Sequence, residues 1–140
     1  MKRIRLLVLV GAVAIALPFG LTSAGATGGG GATNSVTIQE HADYDAGGFV
    51  LDVGLRVRCQ GGPGATVTVQ VEQFPPETAA PVAFGSGPQG GIVCDGVTHT
   101  VGVTIIGEGF DAGRAKATAT LSPMMQPSVT AVRWITIVVV

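Results

Sequence analysis

Residues Phe49–Cys59 read FVLDVGLRVRC. Phe49, Leu51, Val53, Leu55, Val57 and Cys59 take every odd position, while Val50, Asp52, Gly54, Arg56 and Arg58 take the even ones. Successive side chains of a strand point to opposite faces, so alternation of this length describes a strand with one face buried and one wet. Cys59 falls on the inward face, which places any disulfide it forms within the core.

The same rule holds on the C-terminal side. Gln60-Gly61-Gly62-Pro63-Gly64 has turn composition. Ala65, Val67, Val69 and Val71 then alternate with Thr66, Thr68, Gln70 and Glu72. The two runs, 49–59 and 65–73, predict an antiparallel hairpin. Phe74–Gly91 is loop-rich, with Pro75, Pro76, Pro81 and Pro88; Val82–Phe84 within it suits a short edge strand. Val97, Val101, Val103 and Ile105 are in phase over 97–106, and Ala115, Ala117, Ala119 and Leu121 over 112–121. Alanine favours helix, but this spacing is a strand period, and the small side chains suggest close approach of a facing layer. Ala131–Val140 (AVRWITIVVV) is a last strand. Uncharged and β-branched at its end, it invites edge-to-edge pairing unless it is paired on both sides or covered. Toward the N-terminus, Val36 and Ile38 alternate with Thr37 and Gln39 as a short first strand. Six or seven strands with a turn roughly every ten residues indicate an all-β sandwich or barrel.

Before the first strand the sequence changes character. Lys2, Arg3 and Arg5 precede a twelve-residue apolar run, Leu6–Leu17, broken by Pro18 and Gly20 and followed by Ala24-Gly25-Ala26. This is the grammar of a secretory signal peptide, residues 1–26, with cleavage expected between Ala26 and Thr27. Twelve apolar residues fall short of the ~20 that a spanning helix needs. No cysteine follows the run for lipidation, and Ile4 separates Arg3 from Arg5, so no twin-arginine pair exists. Residues 27–33 (TGGGGAT) read as a flexible glycine-rich leader. Residues 34–140 form a single β-sandwich domain, expected to be secreted and extracellular.

After cleavage, Arg56, Arg58, Arg114, Lys116 and Arg133 face nine acidic residues, a net charge of −4. That sign opposes binding to phosphate backbones and to anionic lipid, so neither nucleic acid nor a membrane is an expected partner. The two cysteines, Cys59 and Cys94, are expected to pair in an oxidising compartment. The closed loop of about 36 residues is worth roughly 3–4 kcal/mol in the chain-entropy account. Without CxxC spacing, neither a metal pair nor a catalytic thiol is indicated.

Candidate chemistry is thin. Glu40, His41, Asp43 and Asp45 form the densest polar cluster and are weak candidates for a divalent ion. The cluster lacks the distal glutamate of a calcium loop, and a solvated connection between the first two strands is the plainer reading. His99 is in phase with Val97 and Val101, which suits a buried neutral imidazole or a position at the rim. No serine stands in a GxSxG context. Gly85–Gly91 is glycine-rich but lacks the Lys-Ser/Thr of a phosphate loop. Trp134 is expected in the core, and the Phe74 loop is open to contact. No cofactor motif is present.

The alternating run ending at Cys59, GGPGA at 61–65, VTVQVEQ at 67–73, VCDG at 93–96 and GFDAGRAKATA at 109–119 together resemble the small secreted, single-disulfide β-sandwich proteins of actinomycetes. The resemblance spans most of 49–121. It implies an immunoglobulin-like antiparallel sandwich and brings no assigned activity or site. The expectation is a secreted non-catalytic module, binding or structural, whose partner is an unknown extracellular protein or small ligand. Two rivals differ in what they require. A protease or hydrolase inhibitor needs a rigid exposed 74–91 loop. A carrier of a small apolar ligand needs a deep pocket between the layers. An enzyme would draw on His41, Asp43, Asp45 and His99.

Overall fold

The computed structural model describes residues 34–140. The expected signal peptide (1–26), its Ala26/Thr27 cleavage site and the glycine-rich leader (27–33) lie outside the described residues. Seven strands and no helix make up that part: β1 (Ser35–Asp45), β2 (Val50–Arg58), β3 (Ala65–Gln73), β4 (Ala83–Ile92), β5 (His99–Glu108), β6 (Gly113–Pro123) and β7 (Val129–Val139). The all-β expectation holds. The pairing runs β1-β2-β5-β4-β3-β6-β7 and closes into a barrel, instead of ending as two separate stacked layers.

Every neighbouring pair is antiparallel except β1 and β7, which run parallel, His41–Tyr44 beside Thr136–Val139. Thus β7 is paired on both sides, as its uncharged β-branched end requires. Two junctions are only half formed. Strands β4 and β5 pair over Phe84–Ser86 and Ile106–Glu108 and then diverge. Strands β1 and β7 diverge before His41, and there the Arg133 guanidinium crosses the gap to donate to the Ile38 carbonyl (2.8 Å).

The inward phases read from the sequence are correct for most strands. Leu51, Leu55, Val57, Cys59, Val67, Val69, Val71, Ala115, Ala117, Ala119 and Leu121 are fully buried. Each larger aliphatic side chain so placed stabilises by about 1.5–3 kcal/mol relative to exposure. Ala115, Ala117 and Ala119 are buried on β6, which comes within 8 Å (Cα–Cα) of β1 although β7 is the ladder partner of both. At the far end Tyr44 and Phe110 meet edge to face, centroids 5.6 Å apart.

Several expectations fail. Strands β2 and β3 do not form a hairpin: β2 lies between β1 and β5, and β3 between β4 and β6. Gln60–Gly64 instead carries the chain across the barrel, with Gly61 and Gly62 at φ 76° and 87°. Alternation marks which face is buried and says nothing about which strand lies alongside. Phe49 is not inward; it ends the β1–β2 turn at φ 55°, half exposed. The polar cluster is not a loop, because β1 continues through Asp45 and only Ala46–Phe49 turns. The edge strand at 82–84 is a ten-residue strand, β4, inside the ring despite Pro88. Strand β5 starts at His99, leaving Val97 exposed. Trp134 is outside the core, 52% exposed, with the Arg114 guanidinium 5.1 Å from its ring centroid.

Glycine makes the β4–β5 junction possible. A Cβ on Gly87 would stand 2.2 Å from the Thr104 carbonyl oxygen, so any larger residue would push the two backbones apart.

Candidate functional site

The register puts three connections at one end of the barrel: Cys59–Gly64, Val93–Thr98 and 124–128, beside Asn34 where β1 begins. Their backbones are tied to one another. The Asn34 side chain accepts from the Gln60 amide (2.9 Å) and donates to Gln126 Oε1 (2.7 Å). Gln126 Nε2 in turn donates to the carbonyls of Gln60 (2.9 Å) and Gly61 (3.0 Å). The Gly96 amide donates to the Cys59 carbonyl, and Arg58 Nε donates to the Gly96 carbonyl (2.8 Å). Cys59 and Cys94 form the expected disulfide, beside a bridge between Gln60 and Asp95.

His99 and Asp95 stand at the rim, not in the core. His99 Nε2 lies 2.9 Å from Asp95 Oδ1, and the Val97 amide donates to the same oxygen (2.9 Å). The hydrogen bond from His99, and then that from Val97, hold the Asp95 carboxyl below the ordinary carboxylate range. His99 was visible in the sequence; its partner was missed. Asp95 precedes Gly96 and reads as a turn residue, and only the folded 95–99 segment makes the two meet.

On this cross-linked frame stand apolar side chains that are exposed among the described residues. Val93, Val97 and Met124 are more than half exposed, and Met125 is 96% exposed with φ 63°. A non-glycine residue held in the left-handed region is uncommon, and its strain is a recurrent mark of functional sites. Two concavities flank Gly91–Val93. One of about 380 Å³ lies where β4 and β5 diverge, between Gln89–Val93 and His99–Gly102. The other, about 270 Å³, is lined by Pro63, Ala65, Ile92, Val93 and Met124 among others.

The polar cluster on β1 does not converge. Glu40 reaches Arg133 (3.6 Å) on β7. Asp45 Oδ1 accepts from the Gly47 (2.9 Å) and Gly48 (3.2 Å) amides of the turn. His41 and Asp43 face outward into a concavity of about 430 Å³ with Gln39, Asp52, Gly102 and Thr104. Asp43 lies opposite Asp52, whose carboxylate accepts from Thr104 Oγ1 (2.8 Å). Among the described residues, no group of three or more His, Cys, Asp or Glu side chains is placed to hold a metal ion. His99 is at the tied end, apart from the other three residues that an enzyme would have used.

The 74–91 loop is shorter than expected, since β4 begins at Ala83. What remains, Phe74–Val82, is held closely: Thr78 Oγ1 donates to the Gly109 carbonyl (2.6 Å), the Ala79 amide to Asp111 Oδ2 (3.0 Å), and the Arg114 amide to Glu77 Oε2 (3.2 Å). It lies at the opposite end of the barrel from the disulfide, with Phe74 and Val82 exposed. Gln73 next to it is buried and satisfied, donating to the Asp111 carbonyl and accepting from the Asp111 amide, each 2.9 Å. Compared with protein-family models and with curated proteins, the sequence finds no match.

Proposed function

We propose that the chain is a secreted, non-catalytic binding module of immunoglobulin type, which meets its partner with the disulfide-bearing end of the barrel. The neighbour relations support the fold assignment. Taken as A to G, the strands give A-B-E-D for β1-β2-β5-β4 and C-F-G for β3-β6-β7, the constant-type immunoglobulin order. The bridge departs from that pattern, joining the end of β2 to the β4–β5 connection instead of linking the two layers through β6. Secretion is supported by the signal-peptide grammar of residues 1–26 and by the disulfide.

One observation carries the binding reading. Three connections locked by side-chain and backbone hydrogen bonds display Val93, Val97, Met124 and Met125 to solvent. Exposed apolar groups on a rigid support are the usual preparation of an interface, because little entropy is lost on contact. A second reading, inhibition of a hydrolase, is favoured by the fixed Phe74–Val82 loop at the other end. The carrier reading has less support, since Leu51, Leu55, Val69, Ile105, Leu121 and Ile135 fill the interior.

Processed protein immobilised and exposed to the culture fluid of its source separates these readings. Replacing Val93, Met124 and Met125 by serine should abolish specific capture, whereas replacing Phe74 and Val82 by serine should leave it intact. The reverse pattern would select the inhibitor reading. Equal capture by both variants would dismiss both surfaces.

A further inference from the structure

We infer that the open seam between β4 and β5 is a strand-addition site for an extended segment of a partner polypeptide that carries an acidic residue. This rests on the binding reading above and names the class of ligand. Beyond Ser86, β4 pairs only with β3; before Ile106, β5 pairs only with β2. At Gly87 and Thr104 the two backbones still touch, and past them Gln89–Ile92 and His99–Gly102 present main-chain edges with no ladder partner toward a shared concavity of about 380 Å³. Another extended backbone satisfies the donors and acceptors of such an edge, which alternate residues direct outward.

Three further features define the ligand. Gly90 and Gly102 line the seam and carry no side chain to shield the main-chain edges beside them. At the end of β4 the seam adjoins the pocket of Ile92, Val93, Pro63 and Met124, which suits an aliphatic side chain projecting from the added strand. The charge of the neighbouring wall is positive. Arg56 lies in register with Thr100 one strand behind the seam and Arg58 follows it, against one carboxylate at the rim, Asp95, already engaged by His99; Asp43 and Asp52 lie beyond Gly102, at the closed end of the seam. The segment that fits is extended, alternating, aliphatic at one end and acidic on its flank. Pro88 in β4 supplies no N–H to an incoming strand, which limits productive pairing on that side to the stretch after it.

The test uses processed protein labelled with ¹⁵N and a short capped peptide of alternating threonine and valine with one flanking glutamate. Addition is expected to slow amide exchange and shift resonances within Gln89–Ile92 and within His99–Gly102, and to leave β6 and β7 unchanged. A twin peptide N-methylated at alternate residues keeps the side chains and removes the donors; its binding should be weaker by about tenfold or more. Gly102→Glu, whose Cβ would meet nothing within 4 Å, and Gly90→Glu, whose Cβ would meet only Thr66 Oγ1 at 4.0 Å, are compatible with folding and should weaken the unmodified peptide by a similar factor. Equal binding of the two peptides, or shifts confined to 124–128, would overturn strand addition. A dimer in sedimentation equilibrium that the two glutamate variants dissociate would also overturn it, by making a second copy of this chain the occupant. Loss of peptide binding with culture-fluid capture intact refutes the seam and spares the binding reading; loss of capture alone does the opposite.

Discussion

Removing the Cys59–Cys94 bridge isolates the part of the stability that comes from constraint alone. The two residues are 35 apart in sequence. Releasing a loop of that length returns about 4 kcal/mol of chain entropy to the unfolded state. The folded state should change little, because the Gly96 amide still donates to the Cys59 carbonyl and Arg58 still reaches the Gly96 carbonyl. For roughly a hundred ordered residues the unfolding entropy is about 0.2 kcal/mol/K, so the expected fall in Tm is about 15–20 °C. Cys59 is fully buried. Reduction should therefore be done on the unfolded chain, followed by refolding under reductant. Scanning calorimetry of the oxidised and reduced forms reads the difference. The urea m-value should rise on reduction, because the released chain exposes more surface when unfolded. A fall in Tm of less than about 5 °C with unchanged m would show that the barrel, not the bridge, already confines this loop.

Three other outcomes follow from the geometry. Gly87→Ala should cost about 1–3 kcal/mol, since its Cβ meets a backbone carbonyl that cannot step aside, whereas Gly102→Ala should be near neutral; urea unfolding of the two variants checks the contrast. The Asp95 carboxyl is held below its ordinary range, so its contribution is present above the unfolded carboxylate range and is lost as pH falls below about 4; Asp95→Asn should lower the midpoint slightly at neutral pH and converge with the parent in acid, which flattens the acid limb of a midpoint-versus-pH curve. Trp134 should be quenched by acrylamide in the native state nearly as well as in urea, and Arg114→Ala should raise that quenching further at a stability cost of about 0.5–1 kcal/mol, both read by fluorescence.

The side of the barrel on which most residues fall was legible in the sequence, but their neighbours were not. Odd positions of β2, β3 and β6 point inward as their alternation requires. Nothing in FVLDVGLRVRC states that β5 and not β3 will lie beside it, because a hairpin and an arch bury the same set of side chains. Phe49 followed the phase of the run and broke it, since the turn needed that position at positive φ. GSGPQGG, at 85–91, has the composition of a loop, yet pairing with β3 makes it strand, a case of tertiary context overriding propensity. For Trp134 a signal existed. It shares the even phase of Thr130, Val132 and Thr136, outward-facing positions of a strand whose odd members Val129, Ile135 and Ile137 are buried. The tied end was out of reach, since Asn34, Gln60 and Gln126 are brought together from three distant parts of the chain.

The parallel contact of β1 with β7 joins the first strand of the domain to its last. Contacts of such sequence separation are slow to form, because the whole intervening polymer must be ordered before they repay the loss. At about 5–20 residues per second of synthesis, the N-terminal strand waits several seconds for its mate. Until β7 emerges the ring has an open flank and cannot close. That delay suits the export proposed above, in which the sulfur bridge is made after the chain has left a reducing compartment.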